Sequence, residues 1–191
     1  MKIFSTWGEH QGIEGFVLRA DNVVCNSGKD IYVPDWMTSV EALPMLVIRI
    51  SKVAKSVEKE YAERYFDRVS LAFTFRAEGL AEGYPERMRE DFDGSFVRWS
   101  DWVEVDNLRT RHLEALKVIR PTELSVPAQL ELPTDEMIAD AIALVSQYYL
   151  LKVGDWVALP ALMDGWSVAP GNGLIMYEGE EKKELIYVGI K

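Results

Sequence analysis

The stretch that most constrains the fold runs from residue 40 to residue 78, because it spells a strand, a helix and a second strand in immediate succession. Residues 45–51 (MLVIRIS) are apolar and β-branched with one arginine inside, the composition of a buried or half-buried strand. Residues 58–67 read as a helix, with Tyr61, Ala62, Tyr65 and Phe66 on one side and Glu58, Lys59, Glu60, Glu63 and Arg64 on the other. Residues 69–75 (VSLAFTF) then alternate, placing Val69, Leu71, Phe73 and Phe75 on one face and Ser70, Ala72 and Thr74 on the other. Pro44 has no N–H, so the segment around it is expected not to pair through that residue.

Before this unit, residues 2–6 (KIFST) read as a first strand, and Gly8 and Gly12 frame a turn. Residues 15–20 and 22–25 flank Asp21-Asn22, a pair suited to a tight hairpin, and residues 31–33 form a short strand stopped by Pro34. After the unit, residues 107–120 place Leu108, His112, Leu116 and Ile119 at near-helical spacing among Arg109, Arg111, Lys117 and Arg120. Residues 129–132 suit a short strand. Thr134 followed by Asp135 and Glu136 opens a helix. Its stripe of Met137, Ile138, Ala141, Ile142, Val145, Tyr148 and Tyr149 must lie against a sheet. Residues 174–177 and 185–190 close the chain as a hairpin.

Composition excludes several classes of function. The 191 residues suit a single domain, 1–191, with a real core. A net charge of -10 excludes nucleic acid and anionic membranes as partners, since both need clustered cations. The one basic run, 109–120, is too short to change that. No basic leader precedes an apolar segment and no long apolar run occurs, so a cytoplasmic location is expected. Cys25 is the single cysteine; it fits a reducing compartment and reads as a small core hydrophobe.

Three groups could carry chemistry. Glu78, Glu82, Glu86 and Glu90 recur every four residues, which on a helix would align a cation surface. Gly79, Gly83 and Pro85 interrupt such a helix and Arg76, Arg87 and Arg89 sit among the acids, so a solvated loop is the reading. Trp99 and Trp102 could form an aromatic platform, but tryptophans three apart also fill a core or a dimer seam, and packing is the reading preferred. His10 and His112 have no partner evident in sequence; His112 reads as a helix-surface residue.

The order LVIRISKVAKSV and then YAERYFDRVSLAFTFRA resembles the pattern of the fumarylacetoacetate hydrolase C-terminal-domain family, in which E-x-E-L-x-V-x-I precedes a helix and a strand ends in D-x-T-x-R. Asp91-Phe92-Asp93-Gly94-Ser95 is similar to the family's K-x-F-D-G-S, and Leu151 to Val157 (LKVGDWV) to its L-x-x-G-D-x-I. Tyr32-Val33-Pro34-Asp35 is similar to its I-P-x strand entry. The likeness covers residues 31–100 and 128–191. It implies an α+β, mainly β domain: a folded mixed β-sheet, or β-sandwich roll, with two main helices. It also implies a homodimer.

The resemblance further implies magnesium or manganese and the splitting, isomerisation or decarboxylation of 2,4-dioxo or related acids. Carried over residue by residue, the two Glu of E-x-E fall on Leu43 and Met45, and the Asp of D-x-T-x-R on Thr74. The Lys of K-x-F-D falls on Glu90, the Arg after the Asp on Glu78, and the Thr of a G-T-P turn on Leu159. Hard cations need several oxygen ligands with carboxylate charge, and Leu, Met and Thr supply almost none. The expectation is therefore a vestigial pocket of Leu43, Met45, Thr74, Glu78, Glu90 and Leu159, short of Lys and Arg, with no metal and no cofactor. His10 aligns with a loop histidine that helps activate water in related enzymes and is the one catalytic candidate. Such a chain would be a pseudoenzyme, a binding, regulatory or structural homologue whose small-molecule ligand is unknown. The alternative is a hydrolase, isomerase or decarboxylase of the family type, drawing metal ligands from Glu9, His10, Glu41 or the acids of 78–93.

Overall fold

The computed structural model describes residues 1–8, 12–120 and 123–191. Strand β1 (Ile3–Trp7) is followed by β2 (Gly15–Arg19), β3 (Val24–Asn26), β4 (Met37–Ile50), β5 (Phe66–Leu80) and β6 (Phe96–Arg98). A short helix α1 (Val105–Arg109) leads to β7 (Leu113–Arg120), β8 (Glu123–Leu124) and β9 (Ala128–Gln129). Helix α2 (Asp135–Tyr148) precedes β10 (Trp156–Ala161), β11 (Trp166–Val168), β12 (Gly173–Glu178) and β13 (Lys183–Gly189).

The strands form an eight-stranded mixed sheet and a five-stranded antiparallel one. The first has the order β2-β1-β10-β4-β5-β6-β3, with β11 beside β4; the second has the order β13-β12-β7-β8, with β9 beside β7. Among the described residues, parallel pairing within the first sheet joins β1 to β10 and β3 to β6. The two longest strands, β4 and β5, pair antiparallel at its centre and are buried on both faces. One face, carrying Leu46, Ile48, Leu71 and Phe73, packs with Ile138 and Ile142 of α2 and with Leu174 and Ile186 of the second sheet. The other carries Met45, Val47 and Ala72, which cluster with Ile3, Phe96 and Trp156 of neighbouring strands and with Val23.

Helix α2 forms where the cap and stripe predict. Thr134 accepts the N–H of Met137 at 3.3 Å, and Ile138, Ala141, Ile142 and Val145 are buried. Tyr148 departs from the stripe and is exposed, its ring tilted against that of Phe16 with centroids 5.9 Å apart. Trp99 is buried, and Trp102 packs on Trp156 with ring centroids 5.3 Å apart. Cys25 is half-buried and packs against the core. Among the described residues no helix is long and apolar enough to cross a membrane.

Several local expectations are corrected. The segment expected as the first main helix is a 3-10 helix, Lys59–Tyr65, so α2 is the one long α-helix among the described residues. Seven residues without a side-chain cap at Glu58 cannot sustain an α-helix alone. Residues around Asp21 form no hairpin: a 3-10 turn, Asp21–Val23, buries Val23 and sends β3 away from β2 to pair with β6. Residues 113–120 are strand β7 rather than helix, because Leu113 and Ala115 share one buried face and the backbone pairs with β12. His112 consequently lies exposed in the link before β7.

Pro44 does lie within a paired strand, opposite Phe73. Its carbonyl accepts the N–H of Leu162 at 2.8 Å, so its missing N–H faces the β10 side. There the β10 ladder shifts register between Ala158 and Ala161, and the chain tolerates a proline.

Candidate functional site

The same break in pairing opens a cavity. Leu43 and Thr74 are direct cross-strand partners on β4 and β5, and Met45 lies two residues along β4 on the same face. Their side chains share the walls of a cavity of about 160 Å³ with Arg76, Glu90, Pro160 and Ala161. Ser5, Thr6, Trp7 and Gly8 close it from the end of β1, which parallel pairing with β10 holds beside Ala158. Thr6 Oγ1 donates to Ala158 O at 2.9 Å, while Ser5 Oγ is buried with no partner among the described residues.

Of the six pocket positions read from the sequence, four converge here: Leu43, Met45, Thr74 and Glu90. The other two do not. Leu159 is wholly buried in the main core, on the opposite face of β10 from Ala158. Glu78 is exposed, with its backbone carbonyl accepting from Arg89 at 2.6 Å. Glu41 on β4 pairs with Ser167 and lies outside the cavity wall. His10 and Glu9 lie outside the described residues. Glu86 is bonded to Arg89, which holds its carboxyl below the ordinary range, and Asp91 receives the N–H of Ala20 at 3.4 Å.

The expectation that the pocket is short of arginine is corrected by two residues. Arg76 lines the cavity, its Nε 3.8 Å from the Glu90 carboxylate. Arg19, at the end of β2, is 1% exposed and reaches the back of Thr74. Its Nη1 donates to Thr74 Oγ1; its Nη2 donates to Glu90 O, to Ser95 O at 3.2 Å and to Ser95 Oγ at 2.6 Å. Thr74 Oγ1 in turn donates to Ser95 O at 3.3 Å. The guanidinium lies 5.4 Å from the Phe96 ring centre. Burial pulls the Arg19 pKa down to about 10, against the opposing pull of the Glu90 and Asp91 carboxylates.

Sequence reasoning passed over Arg19. Its one signal is a charged residue ending an otherwise apolar strand, GFVLR. Ser95 stands in the sequence only as the last residue of the Asp91-Phe92-Asp93-Gly94-Ser95 motif.

No family model matches the sequence, and no curated protein matches it. In structure, the chain is similar to fumarylpyruvate hydrolase of Pseudomonas aeruginosa, solved with Mn2+ and pyruvate, at TM-score 0.74 and 15% identity over 100% of this chain and 89% of that one. It is similar to maleylpyruvate hydrolase of Sphingobium sp. SYK-6 at TM-score 0.73 and 18% identity, over 99% of this chain and 70% of that one. A fumarylacetoacetate hydrolase family protein of yeast gives 0.72 and 13%, over 100% and 92%. The chain has the fold of the fumarylacetoacetate hydrolase family.

The residues present do not fit the divalent cation that this fold implies. Leu43 offers no donor atom, and Met45 offers a thioether that a hard cation avoids. The Thr74 hydroxyl is committed, accepting from Arg19 and donating to Ser95 O. Glu90 is the one carboxylate in the described wall, and it faces Arg76. Among the described residues no three His, Cys, Asp or Glu side chains cluster as metal ligands.

Proposed function

We propose that this protein keeps the fold and the cavity of the fumarylacetoacetate hydrolase family without its metal-dependent chemistry, and acts as a binding, regulatory or structural homologue. The observation that carries this reading is the donor set at Leu43, Met45 and Thr74, which holds no carboxylate and whose one oxygen, Thr74 Oγ1, is already committed to Arg19 and Ser95. In metal-dependent chemistry of this kind the cation polarises the substrate carbonyl, and the carboxylate set that would hold it is absent from these three positions. The wall instead suits a small amphipathic molecule. Leu43, Met45 and Pro160 offer an apolar surface, and Ser5, Arg76 and Glu90 offer polar contacts at its margin.

Thermal melting and calorimetric titration with millimolar magnesium or manganese test the reading. A ligand held only by the native state raises the melting temperature by mass action. The expected result is no shift and no binding heat. A rise that chelator reverses would overturn it in favour of a hydrolase, isomerase or decarboxylase of 2,4-dioxo or related acids.

A further inference from the structure

We infer that the Arg19 guanidinium, standing behind the Thr74 wall of this cavity, takes inside the protein the electrostatic place of a divalent ion and keeps such an ion out. The inference deepens the proposed function and rests on it for the absence of metal.

Four features lead there. The first is place: Arg19 Nη1 bonds Thr74, the cross-strand partner of Leu43, so the charge stands directly behind the wall where Leu43, Met45 and Thr74 converge. The second is coordination. The direct partners of the guanidinium are all oxygens, namely the hydroxyls of Thr74 and Ser95 and the carbonyls of Glu90 and Ser95. Hydroxyl and carbonyl oxygens also suit a hard cation, and here planar N–H donors claim them. The third is linkage: one side chain ties β2 to β5 and to the 90–95 segment, joining pieces of chain as a bound ion would. The fourth is burial. At 1% exposure the charge is kept by the oxygens around Nη1 and Nη2 and by the Phe96 ring beside it, while Nε has no partner among the described residues.

A buried arginine of ordinary structural kind would meet some of these conditions. What separates the two is exclusion. A second cation bound at Thr74 would sit within one side chain's reach of the guanidinium, in surroundings that screen charge poorly. A carboxylate at position 74 would instead be claimed by Arg19 as an ion pair before any metal reached it.

The test restores the three carboxylates, Leu43→Glu, Met45→Glu and Thr74→Asp, in two backgrounds, one with Arg19 and one with Arg19→Gln. Manganese binding is followed by calorimetry and by the electron paramagnetic resonance of the free ion. The expected result is no saturable binding while Arg19 is present and binding at one site once it is removed. Equal behaviour in the two backgrounds, whether both bind or neither does, overturns the inference.

Because three new charges can unfold the protein, the single Thr74→Asp is also measured with and without Arg19→Gln by thermal melting at neutral pH. The inference expects Thr74→Asp to lower the melting temperature markedly only when Arg19 is absent, since a lone buried carboxylate has then lost its partner. Equal losses with and without Arg19 would overturn it. Failure of the proposed function looks different: it is manganese binding by the unaltered protein.

Discussion

Asp155 accepts the backbone N–H of Lys2 through Oδ1 and that of Lys152 through Oδ2, each at 2.9 Å. The carboxylate is 3% exposed, and Lys2 Nζ lies 3.1 Å away. One side chain thus fastens the start of β1 to the turn that opens β10, where Gly154 takes a φ of +88° that other residues rarely adopt. The parallel register from Ile3 opposite Trp156 begins at this clasp, and that register brings Ser5 and Thr6 to the cavity. Asp155→Ala leaves two N–H groups without their acceptor and should cost about 1 to 3 kcal/mol. Urea unfolding measures the loss; an unchanged midpoint would show that water replaces the carboxylate freely.

Ile142 of α2 is fully buried in the main core. Ile142→Ala removes apolar contacts from a packed site and should destabilise by about 2 to 5 kcal/mol. Chemical denaturation reads the change, and a loss within about half a kcal/mol would be that of a surface position.

How far the sequence exposes this fold depends on whether one periodicity stands alone. The β4-β5 pair is legible because Val69 to Phe75 alternate cleanly, and α2 because a threonine cap precedes a wide stripe. Residues 107–120 mislead because Leu108, His112 and Leu116 are four apart, a spacing that suits a helical face and a strand face alike. In the structure Leu108 belongs to α1 and Leu116 to β7. At the site, Leu43 and Thr74 are found by matching a pattern, since they are partners in one long pair. Arg19 is not, because its side-chain partners Thr74 and Ser95 lie 55 and 76 residues away. Only tertiary structure connects them.

Glu178 supplies a pH dependence. Its carboxylate stands 2.5 Å from Arg111 Nη1 and 3.1 Å from Lys183 Nζ. Burial works to raise its pKa, but the bonds from Lys183 and Arg111 outweigh it and hold the group below the ordinary range. A carboxyl lowered in the folded state binds fewer protons there than in the unfolded chain. Its stabilisation is therefore complete above the unfolded value and lost as pH falls through the folded one. Glu178→Gln should flatten the acid limb of a plot of urea midpoint against pH, leaving its shape near neutrality unchanged. An acid limb as steep as that of the unaltered protein would assign it to other carboxylates.

Two buried serines of the site should respond in opposite ways to the same change. Ser5 Oγ lies in the cavity wall with no partner among the described residues, so it carries a desolvation cost that no protein hydrogen bond offsets. Ser95 Oγ accepts from Arg19 at 2.6 Å and donates to Glu90 O at 2.8 Å, so it is satisfied in both senses. Ser5→Ala removes an unpaired polar atom and should leave the melting temperature unchanged or higher. Ser95→Ala takes an acceptor from a buried cation and should cost about 1.5 to 3 kcal/mol, the range for a hydrogen bond to a charged group. Thermal melts of both variants in one buffer make the comparison. A loss at Ser5 equal to that at Ser95 would mean that the Ser5 hydroxyl is already satisfied, and it would then not be available to a ligand in the cavity.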